Sequence, residues 1–169
     1  VKGGWDIYNQ NFEHIGGATA ICEGDYFPPK SFYLNSHTGE LCGSVFWINI
    51  NTRLLHLFPA EEKYAAEIEK SIYNVIMAAQ DTNGYIRYHN NLHGKKDESG
   101  CANSCCEVSS VGIMSKLPEY IYSIGTNGLY INLFVASTIK WNQAGTNMTL
   151  TIVTDFPNNT DVTMTVSSS

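Results

Sequence analysis

The chain has 169 residues, about the size of one domain, and its 43% hydrophobic and 12% aromatic content is enough to build a core rather than remain disordered. Ten Lys and Arg against sixteen Asp and Glu give a formal charge of −6, which argues against a nucleic-acid partner, because such proteins concentrate positive charge. No apolar run approaches the roughly 18 to 20 residues that a membrane span requires.

Residues 1 to about 37 are broken by Gly3-Gly4, Gly16-Gly17 and Pro28-Pro29, which predicts mostly loop with short helices. From Thr38, a helix-capping residue type, Leu41, Val45, Phe46, Leu54 and Leu55 recur at near-helical spacing until Phe58-Pro59. In AEEKYAAEIEKSIYNVIMAAQ, residues 60 to 80, acids fill the first turn and Tyr64, Ala65, Ile68, Ile72, Val75, Ile76 and Ala79 form one apolar stripe. Residues 81 to 104 are polar, with Tyr85-Ile86-Arg87-Tyr88 as a short strand and Lys95-Lys96, followed by Asp97-Glu98, as a solvated loop.

Cys105-Cys106 opens a third helix that Pro118 ends or kinks near Leu117, and its continuation EYIYSIG reaches Gly125, a natural helix-terminating residue. After that the period becomes two, in GLYINLFV, NMTLTIVT and DVTMTV, and the turn-rich Asp155 to Asn159 joins the last two runs as a hairpin. The expected architecture is α+β: a helical segment over 1–125, then antiparallel strands over 126–169. The opening VKGGWDIYNQNFEH has no apolar signal-peptide core, and the closing VTMTVSSS still alternates as a strand. The sequence therefore reads as a segment of a longer protein, and its ends leave the compartment open.

The five cysteines, Cys22, Cys42, Cys101, Cys105 and Cys106, are an odd number. Neighbouring Cα atoms lie about 3.8 Å apart and a disulfide wants about 4.4 to 6.8 Å, so Cys105 and Cys106 do not easily bridge each other. Glu40-Leu41-Cys42 and Cys105-Cys106 bring one carboxylate and three thiols to the starts of two helices, the donor types of a four-coordinate Zn²⁺ site. The spacing is not that of a zinc finger, and buried structural thiols are the alternative. A helix start also favours a thiolate, so one of the pair is a candidate nucleophile. His37, His56, His89 and His93 show no HExxH or similar spacing.

Glu23-Gly24 in CEGDYF, Glu40-x-Cys42 in TGELCGSVFW, Cys105-Cys106, and LYINLFV after a Tyr-rich helix together resemble the bacterial β-L-arabinofuranosidases of glycoside hydrolase family 127 and the related family 146. The resemblance runs from about His14 through Val135, and IGGATA matches the family's Gly-rich segment. It implies part of an (α/α)6 barrel followed by the start of an antiparallel β-sandwich, and a retaining, zinc-thiolate glycosidase that releases β-L-arabinofuranose from plant glycans. It further implies Glu23 as general acid/base, Glu40, Cys42, Cys105 and Cys106 as zinc ligands, Cys105 as the nucleophile, and His14 and Tyr88 as sugar contacts.

The chain departs from that pattern at Glu107, where the family often has Pro, and in Cys101, a further thiol ahead of the pair. The front half of the family's barrel has no counterpart in 169 residues. Taken alone, the segment is therefore expected to be weakly active or inactive and to self-associate through uncovered apolar faces and its last strand. The alternative is a non-catalytic structural or carbohydrate-binding module with a structural zinc or buried thiols.

Overall fold

Helices occupy the described residues up to Ile121, and antiparallel strands follow from Tyr122. The computed structural model of the chain describes residues 2–17, 39–90 and 105–169. Two units result, Val1–Leu117 and Pro118–Ser169.

The first helix, α1 (Lys2–Phe12), is one of the short helices expected in a stretch read as mostly loop, and it runs through the Gly3-Gly4 pair that was read as a breaker. Gly3 and Gly4 are exposed and meet no neighbour, so the helix owes little to local propensity. Trp5 supplies the packing instead. It is buried, stacks on Trp47 at 5.6 Å between ring centroids, meets Tyr64 edge-on, and donates its indole N–H to Asn51 Oδ1 at 2.7 Å. An aromatic of that size gains several kcal/mol from burial, of order 2 to 3, which outweighs two helix glycines at roughly 1 kcal/mol each.

Helix α2 (Leu41–Leu57) begins at Glu40, not at Thr38, which lies outside the described residues. The Glu40 carboxylate accepts the N–H groups of Cys42 and Gly43, both at 3.1 Å, and so takes the place that Ser, Thr or Asp usually fills at a helix start. Leu41, Val45, Leu54 and Leu55 are buried as the spacing predicts, whereas Phe46 is exposed. The stripe expected over 60–80 is buried at all seven positions. Its helix is not uniform: α3 (Glu62–Ser71) runs into a π-helical stretch, Ile72–Met77. Helices α4 (Cys105–Ser115) and α5 (Leu117–Ile121) follow, and α2 packs against α3, α4 and the π-helical stretch.

The second unit turns to β earlier than expected. Helix α5 ends at Ile121, and β1 (Tyr122–Gly125) pairs antiparallel with β2 (Gly128–Ile131), so YSIG is a strand where a helix end was expected. Its partner in β2 satisfies the backbone groups that a continued helix would have used. Strands β3 (Ser137–Gln143), β4 (Thr146–Thr154) and β5 (Val162–Ser168) form a second sheet in that order, all antiparallel. The expected hairpin is β4–β5, closed at Thr154 opposite Val162. Ala144 and Gly145, both with positive φ, close β3–β4 in the manner of a two-residue hairpin turn. One face carries Leu150 and Ile152, both buried, while Met164 and Val166 on edge strand β5 are exposed.

Two buried contacts lock the helical unit. The first is Gly17, with φ +91°, whose carbonyl accepts from Ser71 Oγ at 3.1 Å and Ser44 Oγ at 3.5 Å. A Cβ at this position would lie 2.8 Å from Ser71 Oγ and 3.0 Å from the Ser71 backbone. The second joins α1, α2 and α3. Lys70 Nζ lies 2.7 Å from Glu13 Oε1 and 2.8 Å from Glu67 Oε2, Asn9 donates to Glu67 at 3.1 Å, and Trp47 Nε1 donates to Glu67 at 3.3 Å. Burial, aided by the hydrogen bond and charge of Glu67 and opposed by Lys70, pushes the Glu13 carboxyl up to about 8. Burial works against Glu67 as well, but hydrogen bonds from Glu13 and Lys70, the Lys70 charge and Trp47 outweigh it and hold that group low. Glu13 is thus the acid of the pair and Glu67 the carboxylate.

Gly17→Ala combines a strained φ with backbone overlap, and is expected to destabilise the unit by about 1 to 3 kcal/mol in urea unfolding. An unchanged midpoint contradicts the close approach. Glu13 keeps its proton up to about pH 8 when folded but only to about 4.5 when unfolded. Its contribution is therefore complete below about 4.5 and is lost as pH rises through about 8. Glu13→Gln, which cannot ionise, should reduce the fall in stability between pH 6 and 9 by about 1 to 2 kcal/mol. Parallel pH profiles for wild type and variant would show that Glu13 does not titrate in this window.

Candidate metal centre

The sulfurs of Cys42, Cys105 and Cys106 lie within 4.8 Å of one another, a group that can hold a metal ion. Chain folding accounts for the meeting. Cys42 sits in the first turn of α2, Cys105 and Cys106 open α4, and the packing of α2 against α4 brings the two helix starts together. All three are free thiols, with Cys106 buried, Cys42 half-buried and Cys105 exposed.

Glu40 adjoins the cluster through Cys106. While its carboxylate caps α2, its Oε1 also accepts the Cys106 S–H at 2.8 Å, and Cys106 Sγ lies 3.3 Å from Cys42 Sγ. Burial pushes the Cys42 thiol up to about 11, with Cys105 and the Glu40 charge adding to the shift and the hydrogen bond from Cys106 opposing it. Burial and the hydrogen bond to Glu40 push Cys106 up further. Thiols and carboxylate crowded in this way cannot all be anionic unaided, and a cation among them reverses the effect. The donor chemistry therefore fits a metal, and soft thiolates make it one of the thiophilic ions.

The main chain around Glu40 is held from outside the cysteine helices. Leu41 N–H donates to Tyr88 O and Asn90 N–H to Gly39 O, each at 3.1 Å, making an antiparallel bridge between Glu40 and His89. The short strand expected at 85–88 is therefore a pair of isolated bridges, the other joining Gln80 and Ile86. Tyr88 is half-buried, and its ring centroid is 4.8 Å from that of His89. His14 is buried against the Gly16-Gly17 turn, with Nδ1 accepting the Gly16 N–H at 3.2 Å and the carbonyl accepting the Gly17 N–H at 2.8 Å.

Of the residues singled out in the sequence, Glu40, Cys42, Cys105 and Cys106 come together and Tyr88 joins them through its main chain. The turn that holds His14 meets α2 at the Gly17 carbonyl, which Ser44 binds. Glu23, with its neighbours Cys22, Tyr26 and Phe27, and Cys101 lie outside the described residues. Sequence reasoning read an extended stretch at 85–88 but not its pairing with Glu40 and Gln80, which is main-chain and needs no side-chain pattern. It also missed Gly17, although the Gly pair was visible.

Three solved structures share the fold. A GH127 β-L-arabinofuranosidase from Geobacillus stearothermophilus T6 superposes with a TM-score of 0.83 at 20% identity, over 97% of this chain and 28% of that one. A GH127 β-arabinofuranosidase gives 0.82 at 22% identity over 96% and 26%, and a protein described as a glycoside hydrolase gives 0.77 at 21% over 96% and 32%. The chain thus spans about a quarter to a third of the length of these relatives. No curated protein sequence matches it. Residues 4–119 match the family described as β-L-arabinofuranosidase, GH127 catalytic domain, and the chain belongs to that family.

Proposed function

We propose that this chain carries the metal- and nucleophile-bearing part of a retaining glycoside hydrolase that releases β-L-arabinofuranose from plant glycans. The observation that carries the reading is the convergence of three sulfurs within 4.8 Å, with the Glu40 carboxylate 2.8 Å from the Cys106 sulfur. Zinc is the proposed metal and Glu40, Cys42, Cys105 and Cys106 its ligands. A tetrahedral zinc with bonds of about 2.3 Å spaces its sulfurs about 3.8 Å apart, close to the present cluster. On the same reading the helices are part of an (α/α)6 barrel and the strands begin a β-sandwich; the family match, over residues 4–119, supports the catalytic-domain assignment of the helices.

Bound zinc supplies the positive charge that keeps these thiols ionised near neutral pH. Cys105 is the nucleophile because it is the exposed sulfur of the three, the one a sugar can reach, and because it stands at the N-terminus of α4. Its sulfur attacks the anomeric carbon and forms a C–S bond as the glycosidic C–O bond breaks. Glu23, acting as general acid, gives its proton to the departing oxygen. It then takes a proton from water, whose oxygen attacks the same carbon, and the C–S electron pair returns to Cys105. Two inversions at one carbon give net retention. His14 and Tyr88 are assigned to sugar hydroxyls. Their support is position: Tyr88 is bonded to the first residue of α2, and the His14 turn docks on Ser44, two residues beyond Cys42.

In the full-length enzyme, Cys105→Ser is expected to lower kcat on an aryl β-L-arabinofuranoside at least about a thousandfold while circular dichroism stays that of the wild type. Methanolysis by the wild type should give the methyl glycoside with retained configuration. Wild-type turnover in the variant would remove Cys105 from the chemistry, and an inverted product would exclude the two-step route.

A further inference from the structure

The carboxylate of Glu40 caps its own helix, and the main chain at that helix start is bonded by the strap 86–90. One flank of the strap bonds the Glu40 turn, through Leu41 N–H to Tyr88 O and Asn90 N–H to Gly39 O. The other flank bonds the turn just after the π-helical stretch, through Arg87 N–H to Ala79 O at 3.2 Å and the bridge between Gln80 and Ile86. Asn90 works on both flanks, because its side-chain Nδ2 donates to Asn74 O at 2.7 Å.

That acceptor is supplied by the π-helical stretch. In an α-helix Asn74 O would take the N–H of Ala78, and in a continuing π-helix that of Ala79. Here both N–H groups go to Val75 O. The widened turn thus diverts both helix donors from the Asn74 carbonyl, and the Asn90 amide occupies it. Such π-helical irregularities are rare and recur at functional sites. Gly39, which receives the Asn90 main-chain N–H, has φ +73° and turns the chain directly into Glu40.

We propose that Asn90 is a positioning residue of the metal centre: its amide, seated on the carbonyl freed by the π-helical turn, anchors the strap that sets Glu40 against the sulfurs of Cys42 and Cys106. This rests on the reading of Glu40 and the cysteines as metal ligands. Partners that hold ligands in this indirect way typically change metal affinity 10- to 100-fold when removed.

The test uses cobalt(II) as the probe, in wild type, Asn90→Asp, Asn90→Ala and Asn90→Gln. Asn90→Asp keeps the shape and removes both donors, Asn90→Ala removes them without adding charge, and Asn90→Gln retains an amide. Affinity is measured by chelator competition, and ligand geometry by the thiolate-to-cobalt charge-transfer and ligand-field bands. The expected result is a loss of cobalt affinity of about tenfold or more in the Asp and Ala variants, with shifted ligand-field bands, and partial recovery in Asn90→Gln. Ala65→Gly, a helix-weakening change in α3, serves as the control for general destabilisation. Wild-type affinity and bands in both donor-less variants, or the same loss in Ala65→Gly, would overturn the proposal. A wild-type protein that binds no cobalt overturns the metal-centre reading itself, and this inference with it.

Discussion

The site is organised by one electrostatic constraint: the thiols of Cys42 and Cys106 are crowded by burial against the Glu40 carboxylate, where ionising them is costly without a cation. Glu40 Oε1 accepts the S–H of Cys106, and burial with that carboxylate raises the thiols of Cys42 and Cys106. Without a metal the cluster relieves its charge by keeping protons. With one, the same closeness that penalises the anions becomes the source of affinity, because each sulfur and the carboxylate can share a single positive charge. The proposed chemistry follows from this, since a sulfur held as thiolate at an exposed helix start is ready to attack carbon.

The rest of the helical unit keeps these groups in place. Glu40 serves as the helix cap of α2, so the position of the carboxylate is tied to the backbone of that helix rather than to a flexible side chain. Behind α2, the Gly17 carbonyl is gripped by Ser44 and Ser71, and Lys70 bridges the carboxyl groups of Glu13, just after α1, and Glu67 of α3. The strap 86–90 adds the hold on Glu40 from the opposite side in sequence. Leu41 and Ile48 of α2, Ile68 of α3 and Ile76 of the π-helical stretch, each no more than 1% exposed, together with buried Cys106 and Ile113 of α4, belong to the core of these packed helices. Such close-packed side chains transmit small displacements, which makes a ligand set built on two helices sensitive to core changes.

Much of this was legible in the sequence, for physical reasons that differ by element. The stripe from Tyr64 to Ala79 was readable because a buried helical face imposes its period on the residue types, and the β4–β5 hairpin because alternation and a turn-rich link coincide. Strand β3 went unread because STIKWNQ has only Ile139 and Trp141 as apolar markers, and its pairing to β4 is what makes it a strand. The extent of helix α1 across Gly3-Gly4 and the early strand β1 were not read, because tertiary partners, Trp47 and Asn51 for the one and β2 for the other, override local preference. At the site, thiols and carboxylate announced themselves by type. The Glu40 cap did not, since Glu is not a favoured residue there, and the Asn90 contact depends on a π-helical irregularity that has no sequence period.

The central claim is that a cation belongs among Glu40, Cys42, Cys105 and Cys106. Its most direct test is metal analysis with zinc X-ray absorption on protein purified without chelators. The account predicts one zinc per chain with three sulfur neighbours at about 2.3 Å and one oxygen neighbour at about 2.0 to 2.2 Å. Metal-free protein in which Cys42, Cys105 and Cys106 are all alkylated in the native state, and which takes up no zinc when it is supplied, would contradict it.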